Sequence, residues 1–381
     1  MTIALDGQLL WGLYSGVERS IHRLVEHLQA LDPTNHYLLY VGRDFPGLAG
    51  PNPRWRIVPT RVVGRQRLLR IAWQQLVLPC LLRRDRADLL HAPGYVAPLA
   101  SPVPTVVSVY DLIALHYPHL ARPSNVWHYR LFLPPTLRRA AAILVPSAAT
   151  QREVVRAAPQ VAPRVRIVPL GVDERFSVPI APKEMAAVRR KYALPEKFLL
   201  FVGNLEPKKN LPTALAAFAQ ARKRLPREYQ FVLVGAPLWG KQAVNRALAH
   251  WQLEGQVRQL GYVADADLPA LYRTATLFVF PSLVEGFGLP PLEAMASGTP
   301  VVCSNRGALP EVVGEAALMV EAEDAEALAE AMVQILTNEE LRTRLRAQGR
   351  ERARQFSWEQ TARQVMQVYA DAGSLPFGGV S

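Results

Sequence analysis

Apolar and polar positions along this chain switch between two periods. Short runs rich in β-branched and aromatic residues recur at Ile3–Leu5, Tyr37–Val41, Arg56–Val58, Asp88–His91, Thr105–Val109, Ala142–Val145 and Val165–Val168, and each reads as a strand. Between several of them the apolar residues repeat at helical spacing, notably over Val17–Leu31, Leu68–Leu82, Val126–Arg139 and Ala148–Ala157. The alternation restarts after residue 196, with predicted strands at Phe198–Val202, Gln230–Val234, Val257–Leu260, Leu277–Phe280, Pro300–Cys303 and Leu318–Val320. Strands that alternate with helices predict an α/β fold, because parallel strands need a crossover long enough to hold a helix. Such sheets take ligands at the carboxyl ends of their strands.

The stretch from Gly171 to Pro182 is polar and proline-rich, and it separates the two patterns. Two doubly wound, Rossmann-like domains follow, over residues 1–172 and 183–356, since 381 residues exceed one ordinary core. A last helical pattern from Ser357 to Asp371 sets Trp358, Val365, Met366 and Tyr369 on one face, and residues 373–381 read as a loose tail.

Composition narrows the function. Residues 1–170 hold 20 Arg, no Lys and 9 acidic residues, whereas the remainder holds 24 basic and 23 acidic residues. The charge of the first part implies an anionic partner, nucleic acid or acidic lipid. No apolar run approaches the ~18 residues of a membrane span. The start, Met1 to Asp6, lacks the regions of a signal peptide, so the expected location is cytoplasmic, with the inner face of the membrane included. Cys80 and Cys303 sit in apolar stretches without ligand or redox spacing and read as buried thiols. The eight histidines form no cluster, and nothing asks for a tightly held metal.

The chemistry concentrates at Glu285 to Glu293, E-G-F-G-L-P-P-L-E. A predicted strand precedes it, and Pro290-Pro291 suits the first turn of a helix that would end at Gly298. Strand, glycine loop and helix start aim backbone N–H groups at an anion, with a carboxylate on either side to hold sugar hydroxyls. A second constellation, F-V-G-N-L-E-P-K-K-N from Phe201 to Asn210, sets adjacent lysines between a strand and a helix for which Asn210 would be the N-cap. Lysines there can clamp a diphosphate. Read as bland features, these would be a turn with solvated glutamates and a solvated lysine pair.

Taken whole, the nine-residue string resembles the E-x7-E signature of retaining glycosyltransferases of the GT-B fold, glycosyltransferase family 4. The resemblance implies that Glu285, Gly286, Phe287, Gly288 and Leu289 face the donor sugar and its phosphate, and that Glu293 binds the ribose. Phe201–Asn210 is similar to the family's lysine segment and implies Lys209 on the diphosphate, with Gly203 and Lys208 beside it. Asn204 stands where many members carry Arg. Gly261-Tyr262-Val263 is implied to lie against the nucleobase, and Ser304, Asn305, Gly307, Pro310 and Glu311 to neighbour the donor. In D-G-Q-L-L-W-G-L-Y-S-G-V-E-R, Gly16 resembles the glycine loop under the donor phosphate, although the second glycine of the usual pair is missing, and Arg19 could face phosphate or solvent. Asp111, in V-Y-D-L, takes the place of an acceptor-orienting or proton-accepting Asp, or serves as a structural cap. His91 ends a strand and reads as structural.

The family likeness implies a donor-binding C-terminal domain and an acceptor-binding N-terminal domain on which the last helix, 357–373, packs back. It also implies a metal-independent hexosyl transfer with no cofactor beyond the nucleotide-sugar substrate. GDP-mannose stands first for this mannosyltransferase-like subgroup and a UDP-sugar next, with a glycan or lipid-linked acceptor in envelope or exopolysaccharide biosynthesis. The segment Arg65 to Arg86, with six Arg around an apolar centre at Trp73, reads either as a core-facing helix or as an anionic-membrane contact. A nucleotide-sugar epimerase of similar fold remains an alternative. A sugar phosphorylase lacks a marked cofactor lysine, and a nucleic-acid-binding protein would leave the E-x7-E unexplained.

Overall fold

The computed structural model describes residues 1–12, 15–48, 50, 52–64, 66–226 and 228–374. The chain divides into two compact units, one of Met1–Gly171 with the chain from Trp358 onward, the other of Val172–Ser357. Residues 172–182 belong to the second unit, where the Val172 amide donates to Phe356.

In the first unit the described residues form seven strands: β1 Thr2–Gly7, β2 His36–Val41, β3 Trp55–Pro59, β4 Leu89–Ala92, β5 Thr105–Ser108, β6 Ala142–Val145 and β7 Val165–Ile167. All pair in parallel, in the order β3-β2-β1-β4-β5-β6-β7. The two-residue repeat of the strands explains why both faces are apolar. Ile3 and Leu5 of β1 join one core with the helices Gly16–Leu31 and Trp358–Gly373. Ala4 between them joins another with Trp73, Leu78 and Leu82. Trp358, Val365 and Tyr369 of the last helix are buried against the first sheet unit, as their spacing requires, while residues 375–381 of the expected tail lie outside the described residues.

Six strands among the described residues build the second unit: β8 Lys197–Val202, β9 Tyr229–Val234, β10 Val257–Gly261, β11 Leu277–Phe280, β12 Val301–Ser304 and β13 Leu318–Val320. They too are parallel, in the order β10-β9-β8-β11-β12-β13. The strand order reverses between β8 and β11, which opens a crevice at their carboxyl ends.

Three expectations need correction. Cys80 is exposed, because the helix that carries it turns that position to solvent. The segment expected as one helix over Leu68–Leu82 runs Arg67–Ala72, then five π-helical residues Trp73–Val77, then Leu78–Arg84. Pro79 cannot donate to the preceding turn, and Leu78 just before it reaches back five residues to Trp73. Asn210 precedes its helix in a left-handed conformation but does not cap it through its side chain. Its amide group instead donates to the carbonyls of Pro281 and Ala322, at 3.2 and 2.6 Å, tying the lysine segment to the loops beside it.

Candidate active site

The crevice of the second unit receives both sequence constellations. Lys209 follows β8 through a short 3-10 turn, Pro207–Lys209, and Glu285 follows β11. Lys209 Nζ donates to Glu285 Oε1 at 2.6 Å, and both side chains are only 11% exposed, so the pair is held largely out of water. The ammonium also lies 4.7 Å from the Phe280 ring centroid. The Leu283 amide donates to the Lys208 carbonyl at 2.8 Å, which fixes the lysine loop to the glutamate loop. Burial pushes the Glu285 carboxyl up, but the charges of Lys209 and Lys208, with the hydrogen bonding to the carboxylate, hold the group below its ordinary value. At neutral pH the carboxylate is therefore ionised.

The loop after β12 braces Glu285 from behind. The Ala308 amide donates to the Glu285 carbonyl at 3.0 Å. Gly307, with φ of +61°, passes so close that a Cβ there would stand 2.3 Å from that carbonyl oxygen. Only glycine fits both the conformation and the space. Ser304 Oγ donates to the Ser282 carbonyl at 2.5 Å, closing the same brace. The neighbour loop thus supports the glutamate through backbone contacts.

Beyond Glu285 the chain turns through Gly286, Phe287 and Gly288 into the helix Leu289–Ala296. Phe287 is buried against Phe356, edge to face with centroids 5.7 Å apart, and this anchors the turn. Pro290 and Pro291 occupy the second and third helical positions and supply no N–H. The donors that the sequence placed at the helix start are consequently concentrated in the loop. Among the described residues, the amides of Phe287, Gly288 and Leu289 donate to no protein acceptor. Glu293 sits one turn into the helix, buried, and accepts from the Tyr272 hydroxyl at 2.9 Å.

Asn204 Oδ1 accepts from the Ala236 amide at 3.3 Å and links the ends of β8 and β9, where a Cβ on Gly235 would stand 2.0 Å from the Gly203 carbonyl oxygen. Gly261 ends β10, followed by an exposed Tyr262 and a buried Val263. The crevice therefore holds a cation–carboxylate pair, three available amides and a second carboxylate, a set suited to a sugar diphosphate.

Gly16 and Asp111 belong to the first unit. Gly16 opens the helix Gly16–Leu31, capped by the Ser15 hydroxyl. Trp11 and Gly12 are held by Glu18, whose Oε1 accepts from their amides at 2.8 and 2.6 Å. Sequence reasoning missed this residue, although the Ser15-x-x-Glu18 spacing of a capping box was available as a signal. Arg19 is half-buried. Strand β5 ends at Ser108, not Val109, so Asp111 lies three residues beyond it. Its carboxylate accepts from the Ile113 amide at 3.2 Å and the Tyr95 hydroxyl at 3.3 Å. His91 is fully buried, its ring bonded to the Tyr369 and Ser108 hydroxyls at 2.6 and 2.8 Å. Burial pushes its pKa down to about 3, so it is a neutral structural tie to the last helix.

Two family models match the chain: one described as Glycosyltransferase Family 4 over residues 14–176, and one described as Glycosyl transferases group 1 over residues 185–352. The O-antigen chain mannosyltransferase B of Escherichia coli is 34% identical over 288 residues, 75% of each chain. The serotype-specific mannosyltransferase WbdA of Escherichia coli is 32% identical over 71% of this chain, which spans 34% of that longer protein. Among solved structures, sucrose-phosphate synthase from Thermosynechococcus elongatus is similar with a TM-score of 0.77 at 23% identity, covering 97% of this chain and 98% of that one. Anabaena Alr3699/HepE, solved with UDP and glucose, is similar with a TM-score of 0.73 at 19% identity, covering 98% and 99%.

Proposed function

The chain belongs to glycosyltransferase family 4, and from that premise we propose that it transfers mannose from GDP-mannose to a glycan or lipid-linked sugar, with retention at the anomeric carbon. The observation that carries the reading is the Lys209–Glu285 pair beside the amides of Phe287, Gly288 and Leu289 at the sheet's switch point. The names of the relatives support mannose, and that of the O-antigen chain mannosyltransferase supports a role in assembly of an O-antigen or similar surface polysaccharide. A UDP-sugar is the next donor in line.

In this reading the loop amides and Lys209 bind the donor diphosphate, with Lys208 adding charge and Gly203 and Asn204 shaping the floor. Charge develops on the diphosphate as the bond from C1 to its oxygen breaks, and fixed donors there stabilise the transition state more than the ground state. The acceptor oxygen attacks C1 from the face the diphosphate leaves. Its proton passes to the departing phosphate oxygen, so no metal or protein nucleophile is required. Glu285, kept ionised by Lys209, orients the sugar hydroxyls and stabilises positive charge on the ring. Glu293 holds the ribose, and Gly261, Tyr262 and Val263 border the base. Asp111 orients the acceptor hydroxyl.

A thermal-shift panel with GDP, UDP, ADP and their sugar conjugates, in EDTA, tests the donor. Selective stabilisation by GDP and GDP-mannose is expected, roughly 2.7 kcal/mol at a hundredfold excess over Kd. A shift confined to UDP ligands would move the donor to a UDP-sugar. No shift with any nucleotide, or one that appears only with a divalent ion, would overturn the reading. The anomeric configuration of the product, read by NMR, tests retention.

A further inference from the structure

The helix built from Arg67–Ala72, Trp73–Val77 and Leu78–Arg84 divides its apolar residues between two faces. Trp73, Leu78 and Leu82 are buried in the core beneath the sheet. Leu68, Leu69, Leu76 and Val77 are not, and Leu68 and Leu76 are 81% and 73% exposed. The π-helical turn shifts the register between Trp73 and Leu78, which lets one helix feed the core and still present an apolar stripe outward. The core-facing reading of this segment is therefore correct for Trp73, Leu78 and Leu82 and does not hold for Leu68, Leu69, Leu76 and Val77.

A neighbouring helix presents exposed apolar residues of its own. Pro123–Arg139 carries Trp127 and Leu131 one turn apart, 77% and 66% exposed. Arg67 joins the two helices, donating to Ser124 Oγ at 3.1 Å and to Asn125 Oδ1 at 2.6 Å. Over their described ranges the two helices hold seven Arg and no Asp or Glu. Arg83, Arg84, Arg130, Arg138 and Arg139 are exposed. Asp85, just past the first helix, pairs with Arg84 at 3.0 Å, and the other exposed arginines keep the surroundings cationic. Large exposed apolar side chains on adjacent helices, flanked mainly by arginines, form an interaction surface rather than scattered surface leucines.

We propose that this two-helix face docks on the surface of a lipid bilayer with anionic headgroups, with Leu68, Leu76, Trp127 and Leu131 entering the headgroup–acyl boundary. Charge complementarity selects this occupant. Guanidinium groups meet anionic headgroups while the apolar stripe leaves water, the division that interfacial helices use. A second copy of the chain would bring the same arginines against each other. An acidic protein partner would satisfy the arginines but would not prefer a bilayer, and the test separates these cases. The inference rests on the first unit alone, so it can fail while the donor reading stands, and the reverse.

Co-sedimentation of the full chain with vesicles tests it, using phosphatidylcholine alone and mixed with phosphatidylglycerol. Binding to the mixed vesicles is expected to exceed binding to phosphatidylcholine by about tenfold or more, and to weaken as salt rises. The variant Leu76→Glu/Trp127→Glu is expected to lose at least about tenfold in binding with an unchanged melting temperature, since both positions face solvent. Leu76→Ser/Trp127→Ser serves if the charged variant melts early. Arg83→Glu/Arg84→Glu is expected to reduce the preference for phosphatidylglycerol. Equal binding to both vesicle types would overturn the proposal, as would variants that bind like the wild type. So would light scattering that shows a wild-type dimer which the apolar variant cannot form.

Discussion

Removing either member of the Lys209–Glu285 pair should cost stability, and removing both should return much of that stability without returning activity. Lys209→Met leaves a carboxylate largely out of water, with Lys208 as its remaining cation. Glu285→Gln leaves an ammonium facing the Phe280 ring. Taking one partner from a fully buried pair costs about 3–5 kcal/mol. With both side chains 11% exposed, about 2–3 kcal/mol is the proper expectation here, because water still reaches the crevice. Over a unit the size of Val172–Ser357, that corresponds to roughly 4–12 °C in Tm. The double variant removes both charges, so most of the loss should cancel, leaving it within about 1 kcal/mol of the wild type, a coupling of at least about 3 kcal/mol. Activity should follow another rule. Each single variant loses the group that meets developing charge, at about 100- to 1000-fold in kcat/KM, and the double should recover none of it. The assay is thermal melting of the four proteins beside transfer of labelled mannose from GDP-mannose. Additive stability losses would refute the pairing argument. Recovered activity in the double variant would refute the catalytic roles and leave a structural ion pair.

Three other outcomes follow from single groups. His91 is neutral and buried, its pKa lowered from 6.5 to about 3, so its contribution is full above 6.5 and is lost as pH falls towards 3. Urea unfolding should show about 2 kcal/mol of loss from this group between pH 7 and pH 5. The difference between wild type and His91→Gln isolates it, because His116 and His128, also held low by burial, are common to both. Gly307→Ala should lower kcat/KM by at least about tenfold, since a Cβ 2.3 Å from the Glu285 carbonyl must displace the glutamate, and a folded variant at full activity would contradict the brace. Glu18→Ala should destabilise by about 1–3 kcal/mol through the Trp11 and Gly12 amides it leaves unpaired, whereas Glu18→Gln should retain most of the stability in the same melting assay.

Much of the fold was legible because its signals are local. Strands buried on both faces leave continuous apolar runs, and every predicted run became a strand within a residue or two at its ends. The nine residues from Glu285 were legible as a strand–loop–helix junction for the same reason, since glycine and paired proline restrict backbone geometry wherever they stand. Some local readings failed through competition from distant chain. Asn210 has the side chain of an N-cap, but its Nδ2 is held by carbonyls at 281 and 322, and its Oδ1 accepts from the Thr213 hydroxyl at 2.8 Å instead of a helix amide. Cys80 lies in an apolar run, but the helix carrying it already fills its core with Trp73, Leu78 and Leu82.

The sequence by itself determined the class of the protein: two parallel α/β units, an arginine-rich first part, and the residue types that meet a sugar diphosphate. Those properties depend on side-chain periods of two and of 3.6, on glycine and proline stereochemistry, and on charge counts, all of which act within a few residues. Tertiary structure decided which groups meet. Lys209 and Glu285 are 76 positions apart and come within 2.6 Å because β8 and β11 are neighbours in the sheet though not in sequence. The same rule of strand order set the Gly307 brace behind Glu285, through the neighbouring strands β11 and β12. Strand order is fixed by burying every strand between helix layers at once, a condition on the whole unit that no local window contains.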